Sequence, residues 1–190
     1  MLTRIPFRQG LIASAVLAFS IALPSLAAVL KTDTTKSFVS ATFKQLNVPV
    51  EAKFKKFNAQ IDFDGAKPET SKASVEIDVP SFDLGDPEYN KEVQKKEWFN
   101  GAQFPKATFV SSSLKPAGAG KYDVHGKLAI KGKTADVSFP MSVKKEGTTQ
   151  VFEGALPIKR LAFNIGEGEW KDTSMVADEV VIRFRVVTTQ

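Results

Sequence analysis

The chain has 190 residues with a formal net charge of +5 at pH 7, no cysteine and a single histidine, His125. This composition excludes thiol chemistry, cysteine-ligated metals and multi-histidine zinc sites, leaves a Ser-His-Asp triad one possible base, and lacks the basic footprint of a nucleic-acid-binding protein. We therefore expect a protein that is not an enzyme and that uses neither a metal nor a cofactor.

The first 27 residues have the pattern of a secretory signal peptide. Arg4 and Arg8 precede an uncharged apolar run over residues 11–23, and Ser25 and Ala27 supply the small residues of a cleavage site. The run is shorter than the roughly 20 residues of a membrane-spanning helix. We predict cleavage after Ala27, which divides the chain into a signal peptide over 1–27 and one domain over 28–190 that is soluble in the periplasm or secreted.

Beyond the signal, apolar and polar side chains alternate almost throughout, which predicts strands with one apolar face. In chain order, the strands are predicted at residues 37–44, 50–63, 73–79, 107–114, 122–130, 137–143, 150–158 and 180–188. Eight antiparallel strands in succession can close into a barrel, which removes unpaired sheet edges. Most strands have a polar second face, so we expect the apolar face to point inward and the protein not to span a membrane.

One segment breaks the strand pattern and predicts a short amphipathic helix over residues 88–97. Asp86 is a suitable N-cap, and Pro87 stands at the first helical position. Trp98 and Phe99 follow the helix directly. We expect these aromatic side chains to hold the helix over one end of the barrel.

Several short segments together resemble the YceI-like family of secreted bacterial proteins. They are KEWF at 96–99, FPKATF at 104–109, GKLAIKG at 126–132, IKRLAF at 158–163, GEGEW at 166–170 and VADEV at 176–180. The resemblance covers essentially the whole mature chain. It implies an all-β, eight-stranded, lipocalin-like antiparallel barrel with one short capping helix, an apolar tunnel that binds a polyisoprenoid chain, and often a homodimer. Lys36 stands where many members have histidine, so no role of that histidine is carried over.

The candidate tunnel wall consists of apolar side chains on the predicted strands and just after the helix. At each position the alternative is an ordinary packed core. The candidates are Phe38, Phe43, Val75, Ile77, Trp98, Phe99, Phe109, Leu128, Ile130, Phe139, Met141, Phe163, Ile182 and Phe184.

Arg160 is the candidate charged residue of the site, because it ends a strand beside Leu161 and Phe163. Two interpretations remain open. The guanidinium either contacts the polar head of the ligand or forms a salt bridge at the barrel rim with one of the acidic residues Asp172, Asp178 and Glu179. His125 is expected to be a solvated residue on the polar side of its strand.

These observations lead to one prediction of function and one alternative. We predict a periplasmic carrier for a lipid with an isoprenoid tail, either a quinone or a polyprenyl phosphate, and the resemblance implies a link to transport or stress response. The alternative is a protein-interaction module whose core is simply full, with the helix and Trp98 docking a partner.

Overall fold

The computed structural model of the protein describes residues 31–189, so the predicted signal peptide and its cleavage site lie outside the described residues. The strands are β1 (Lys31–Thr32), β2 (Phe38–Gln45), β3 (Val48–Phe54), β4 (Phe57–Asp62), β5 (Lys72–Asp78), β6 (Phe82–Asp83), β7 (Lys106–Pro116), β8 (Lys121–Ile130), β9 (Lys133–Glu146), β10 (Thr149–Lys159) and β11 (Val176–Thr189). The α-helix is α1 (Pro87–Glu92), and short 3₁₀ turns are formed by Pro68–Thr70, Val79–Ser81, Arg160–Phe163 and Gly168–Lys171.

The strands form one antiparallel sheet that curls into a barrel. Neighbouring strands follow the order β4-β5-β7-β8-β9-β10-β11-β2-β3, with β6 added beside β3 and β1 beside β11. β3 and β4 stand at the two ends of this order, yet they are two halves of one bent segment separated only by Lys55 and Lys56. Because β3 pairs with β2 and β4 pairs with β5, the bend joins the ends of the sheet. Counted in this way the ring has eight strands, which confirms the predicted barrel.

The alternation predicted from the sequence is clearest in β8. Val124, Leu128 and Ile130 are buried, whereas Lys127 is exposed and His125 lies on the same outward side. The neighbouring strand follows the same register, since Val124 is paired with Phe139, which is also buried. A period of two therefore directs one apolar face into the barrel along its length.

Phenylalanine rings fill the middle of the barrel. The ring of Phe139 lies 5.5 Å from that of Phe109 and 5.6 Å from that of Phe184, both in edge-on contacts. Such contacts add to the free energy gained by burying the rings. A second group of buried side chains, which includes Phe152 and Val186, continues this packing toward the far end.

The helix begins as predicted but ends earlier. The carboxylate of Asp86 accepts hydrogen bonds from the backbone N–H groups of Glu88 (2.7 Å) and Tyr89 (3.4 Å), which confirms the N-cap. After Glu92 the chain turns back, and the N–H of Phe99 donates to the carbonyl of Val93 at 2.9 Å. Residues 93–99 therefore form a tight loop in place of the predicted last turns.

Asp83 fastens the helix to the barrel. Its carboxylate accepts a hydrogen bond from the side chain of Asn90 at 2.7 Å and pairs with Lys55 at 2.6 Å. The hydrogen bonds from Lys55 and then Asn90 lower the pKa of Asp83 from 3.8 to about 2. Because the folded-state pKa is depressed, this anchor is fully present above pH 3.8 and is lost as the pH falls through about 2.

The substitution Gly126→Ala tests how closely the Phe109 ring packs against β8. A Cβ at Gly126 would lie 2.5 Å from both the Phe109 ring and the carbonyl oxygen of Val110. We expect Gly126→Ala to lower the free energy of unfolding by about 1–3 kcal/mol through overpacking. The control is Gly65→Ala, where the nearest atom is an ordinary 3.5 Å away. Equal midpoints for the two variants in urea denaturation would contradict this packing.

Candidate ligand-binding cavity

The barrel holds an apolar cavity of about 300 Å³ at the end covered by α1. One wall comes from β2, β3 and β11, with Ala41, Phe43, Gln45, Val50, Phe54, Val176, Val180 and Ile182. The helix side is formed by Phe82, Leu84, Tyr89, Glu92, Val93, Trp98 and Phe99. The remaining lining comes from the end of β8, the end of β10 and the segment after β10, with Ile130, Ile158, Arg160, Ile165 and Trp170.

Charge is scarce on this wall, and its two charged residues lie in different surroundings. Glu92 has a side chain that is 35% exposed and pairs with Lys95 at 2.5 Å, so a carboxylate stands where the cavity meets solvent. The same contact raises the pKa of Lys95. Arg160, by contrast, is 2% exposed.

Arg160 is held entirely by the backbone. A guanidinium has five N–H donors, and each of them here meets a carbonyl oxygen. Nε donates to Ala177 (3.1 Å), Nη1 to Ile165 (2.8 Å) and Gly166 (3.2 Å), and Nη2 to Trp170 (2.6 Å) and Val176 (2.8 Å). The partners of Arg160 are therefore carbonyls and not one of the carboxylates considered from the sequence, and no donor of the guanidinium is left over for a ligand head group.

The acidic residues considered for Arg160 have other partners. Asp178 accepts the backbone N–H of Leu161 at 3.0 Å, and Glu179 pairs with Lys159 at 3.9 Å. Burial lowers the pKa of Arg160, and the charge of the nearby Asp178 partly offsets that effect.

Aromatic rings complete the surroundings of Arg160. Its guanidinium carbon lies 5.8 Å from the ring centre of Trp98, and the rings of Trp98 and Trp170 are 5.2 Å apart. Gly166 has a φ of +80°, and a Cβ there would lie 2.0 Å from Nη1 of Arg160. The guanidinium thus ties the chain after β10 to the loop that follows α1.

Lys131 makes a second connection between the same parts. It is 8% exposed, and its ammonium group donates to the carbonyls of Lys96 (2.7 Å) and Asn164 (2.6 Å) and pairs with Glu167 at 3.0 Å. The hydrogen bond from Lys131 lowers the pKa of Glu167. Arg160 and Lys131 together hold the segment after β10 against the loop that follows α1.

Comparison with known protein families gives a match to the model described as the YceI-like domain, over residues 30–188. The chain belongs to the YceI-like family. A UPF0312 protein of Azotobacter vinelandii is 32% identical over 133 residues, 67% of each chain, and one of Shewanella oneidensis is 30% identical over 118 residues, 60% of this chain and 62% of its own length. The YceI-like chain thus spans about two thirds of the length of these relatives.

Solved structures share the barrel. The crystal structure of Burkholderia cenocepacia BcnA superposes with a TM-score of 0.82 at 57% identity, covering 84% of this YceI-like chain and all of BcnA. A YCEI protein of Campylobacter jejuni gives a TM-score of 0.69 at 22% identity, covering 74% and 85% of the two chains. A polyisoprenoid binding domain from Saccharophagus degradans, implicated in plant cell wall breakdown, gives 0.68 at 17% identity, covering 84% and 97%. The last two likenesses show the fold.

Residues 31–189 of this YceI-like chain contain neither a membrane-crossing helix nor a cluster of metal-binding side chains. No helix in that range has both the length and the hydropathy needed to cross a membrane. No group of three or more His, Cys, Asp or Glu side chains comes together there in a metal-binding arrangement.

The structure divides the fourteen predicted tunnel residues into three groups. Five line the cavity: Phe43, Trp98, Phe99, Ile130 and Ile182. Eight belong to the packed core that continues beyond the cavity: Val75, Ile77, Phe109, Leu128, Phe139, Met141, Phe163 and Phe184. Their placement on the wall of an open tunnel is corrected here, because their side chains pack against one another.

Phe38 forms the third group alone, and its placement inside the barrel is wrong. β2 turns Val39, Ala41 and Phe43 inward, so the preceding residue of opposite parity points outward. Phe38 is accordingly 39% exposed and lies off the cavity wall.

Several residues that line the cavity were not predicted from the sequence. Val50, Phe54, Ile158 and Val180 lie on inward faces, and the period-two pattern of their strands could have identified them. Trp170 comes from an irregular segment, which carries no periodic signal.

Arg160→Lys tests whether the five backbone contacts hold the cavity end together. Lysine keeps the charge but offers three donors at one point instead of a planar fork. We expect the free energy of unfolding to fall by at least about 3 kcal/mol, since two or more buried carbonyls lose a charged donor. Arg183→Lys, on the exposed face of β11, should change it by less than about 0.5 kcal/mol. Urea denaturation measures both, and equal stabilities would refute the assigned role.

Proposed function

We propose that this protein is a periplasmic carrier that holds the tail of an isoprenoid lipid in the cavity and does not transform it. The observation that supports this most strongly is the apolar wall of the cavity, where Glu92 is the one carboxylate and the cation Arg160 has no free donor. The fold is also that of the Saccharophagus degradans domain described as polyisoprenoid binding. Export is proposed from the signal pattern of residues 1–27.

The size of the cavity limits how much of a tail it can hold. An engineered apolar cavity of about 150 Å³ holds one benzene molecule. A cavity of about 300 Å³ therefore suits on the order of a dozen carbons by the same standard, or about two isoprene units. Each buried methylene contributes about 0.8 kcal/mol, so the tail is the main source of affinity.

The alternative function, a protein-interaction module with a filled core, fits only part of the barrel. The rings of Phe109, Phe139 and Phe184 do fill the middle. The end of the barrel beneath α1 is not filled, because Ile130, Ile158 and Ile182 line the open cavity there. We therefore favour the ligand-binding function.

Ile182→Trp tests whether the cavity is the binding site. The larger side chain should occupy the space and lower the affinity for a quinone with two isoprene units at least tenfold. Val181→Trp is the matched control, because Val181 is the next residue on the opposite face of β11. Titration calorimetry should give about one ligand per wild-type chain, near-normal binding to the control and little to Ile182→Trp. Unchanged affinity in a folded Ile182→Trp protein, or no binding to wild type, would contradict the proposal.

The charges of the wall favour a ligand with an uncharged head, such as a quinone, over a polyprenyl phosphate. The donors of Arg160 are all used by carbonyl groups, so they offer an anionic head no hydrogen bond. The carboxylate of Glu92 repels a phosphate at the opening, although Lys95 offsets part of that repulsion.

Glu92→Gln tests this head-group preference with two ligands that share one tail. Removing the carboxylate should raise the affinity for farnesyl phosphate a few-fold and leave the affinity for farnesol unchanged. The expected gain corresponds to about 1 kcal/mol or less, because the site is exposed to solvent. The control is Glu88→Gln, which removes a carboxylate from the same helix but off the cavity wall, where the side chain is 80% exposed. Tighter binding of farnesyl phosphate than farnesol by the wild type would overturn the assignment.

A further inference from the structure

The opening of the cavity is surrounded by exposed apolar side chains. Six large apolar residues of the described chain are exposed, and four of them belong to segments that border the cavity. We call these four the mouth patch: Leu46 (63% exposed), Val48 (62%), Tyr89 (60%) and Met175 (43%). Single exposed apolar residues are ordinary on a protein surface, but a group of them around one opening is not.

Three segments bring the mouth patch together. The N–H of Leu46 donates to the carbonyl of Met175 at 2.9 Å, so the β2–β3 turn touches the residue before β11. Val48 and Val50 are two residues apart on β3, so their side chains point to the same face of the strand. Because Val50 lines the cavity, the apolar inner face of β3 continues past the rim to Val48. Tyr89 lines the cavity and is exposed at the same time. The apolar surface is therefore continuous from the interior to the outside.

Leu46 occupies a position that the fold itself does not favour for leucine. Leu46 and Asn47 form the two-residue turn of the β2–β3 hairpin, with φ of 46° and 66°. Such turns favour asparagine or glycine, and a side chain like leucine is disfavoured at positive φ. Since the Leu46 side chain is mostly exposed, packing within the described protein does not explain its presence.

We propose that the mouth patch inserts shallowly into the surface of a lipid bilayer and that the ligand passes between cavity and bilayer during this contact. The proposal rests on the proposed function, because a lipid carrier exchanges its ligand with a membrane. The patch is small for a protein partner, since four partly exposed side chains present only a few hundred Å², below the roughly 800 Å² per partner of a stable complex. The narrow β2–β3 turn, with its exposed apolar side chains, is suited to shallow insertion into a fluid lipid surface.

The charges beside the mouth patch indicate what kind of bilayer it meets. The helix at the opening and the loop after it carry the ion pairs Glu88–Lys91 at 2.8 Å and Glu92–Lys95 at 2.5 Å, which leave these four residues without excess positive charge. Attraction to anionic lipid therefore contributes little. We expect the contact to depend on apolar insertion and to change little with salt.

The test is the rate at which the wild-type protein delivers the quinone with two isoprene units to vesicles of phosphatidylethanolamine and phosphatidylcholine. Transfer during contact makes this rate proportional to vesicle concentration, whereas release into water makes it independent of vesicle concentration. We expect proportionality, with a slope lowered at least fivefold by Leu46→Asn and at least twofold by Val48→Thr. Leu46→Asn should keep or raise the melting temperature, because asparagine suits the turn.

The matched control is Val110→Thr, the same substitution as Val48→Thr at a residue that is 54% exposed on β7, away from the cavity. It should leave the slope unchanged, and all three variants should keep the wild-type affinity for the quinone. A rate independent of vesicle concentration would overturn the proposal. So would a wild-type dimer in sedimentation that Leu46→Asn dissociates, because the mouth patch would then bind a second copy of the chain.

A ligand-free measurement separates this proposal from the proposed function. Flotation of the empty protein with the same vesicles at high lipid concentration should be detectable and should weaken in Leu46→Asn but not in Val110→Thr. If the quinone does not bind but this pattern is seen, the docking surface stands and the proposed function fails. If the quinone binds but the empty protein does not float, the docking surface is refuted and the proposed function stands.

Discussion

The part of the cavity wall that lies between β10 and β11 depends on one guanidinium. The chain between β10 and β11 consists of two short 3₁₀ turns and irregular backbone, so its carbonyl groups have no strand partners. Buried carbonyls need donors, and Arg160 donates to three of them, at Ile165, Gly166 and Trp170. It also donates to the carbonyls of Val176 and Ala177 at the irregular start of β11. Five oriented carbonyl dipoles also stabilise a charge that has lost its water. The residue therefore acts on the shape of the binding site and not on the chemistry of what it binds.

Residue size explains why the barrel is full in one half and open in the other. Phe109, Phe139 and Phe184 meet in the middle and leave no space between their rings. Near the helix, one pair of inward positions on β2 and β3 is occupied by the small residues Ala41 and Ala52. The rings of Trp98 and Phe99 line this space without filling it. A pair of small side chains beneath aromatic rings thus contributes to the open volume.

The sequence predicted the elements better than it predicted the site. The alternation in β8 and the N-cap at Asp86 are local patterns, and both were confirmed. In β2 the apolar residues Val39, Ala41 and Phe43 alternate with the polar residues Ser40, Thr42 and Lys44, so the period-two pattern already places Phe38 on the outward face and its inward assignment did not follow that pattern. Leu128 and Ile130 are inward neighbours on one strand, yet one is in the core and the other lines the cavity. That difference depends on which side chains face them across the barrel.

The role of Arg160 could not have been predicted for a different reason. Its partners are backbone carbonyls, and a carbonyl group is the same at every residue. An acidic partner for an arginine can be identified in a sequence, whereas a particular backbone carbonyl cannot. The need for five donors appears only when the path of the chain from 160 to 177 is known.

Closure of the sheet by the bend between β3 and β4 has an evolutionary consequence. A ring of eight hydrogen-bonded strands has a fixed circumference, so it does not widen to admit a bulkier molecule. Within such a family, a member can therefore accept a longer or shorter ligand tail only if the cavity changes its depth along the barrel axis. That depth is set by the side chains at the bottom of the cavity. Exchanging the rings of Phe139 and Phe184 for smaller residues would deepen the pocket without altering a single strand pairing, which allows ligand choice to diverge while the scaffold stays constant.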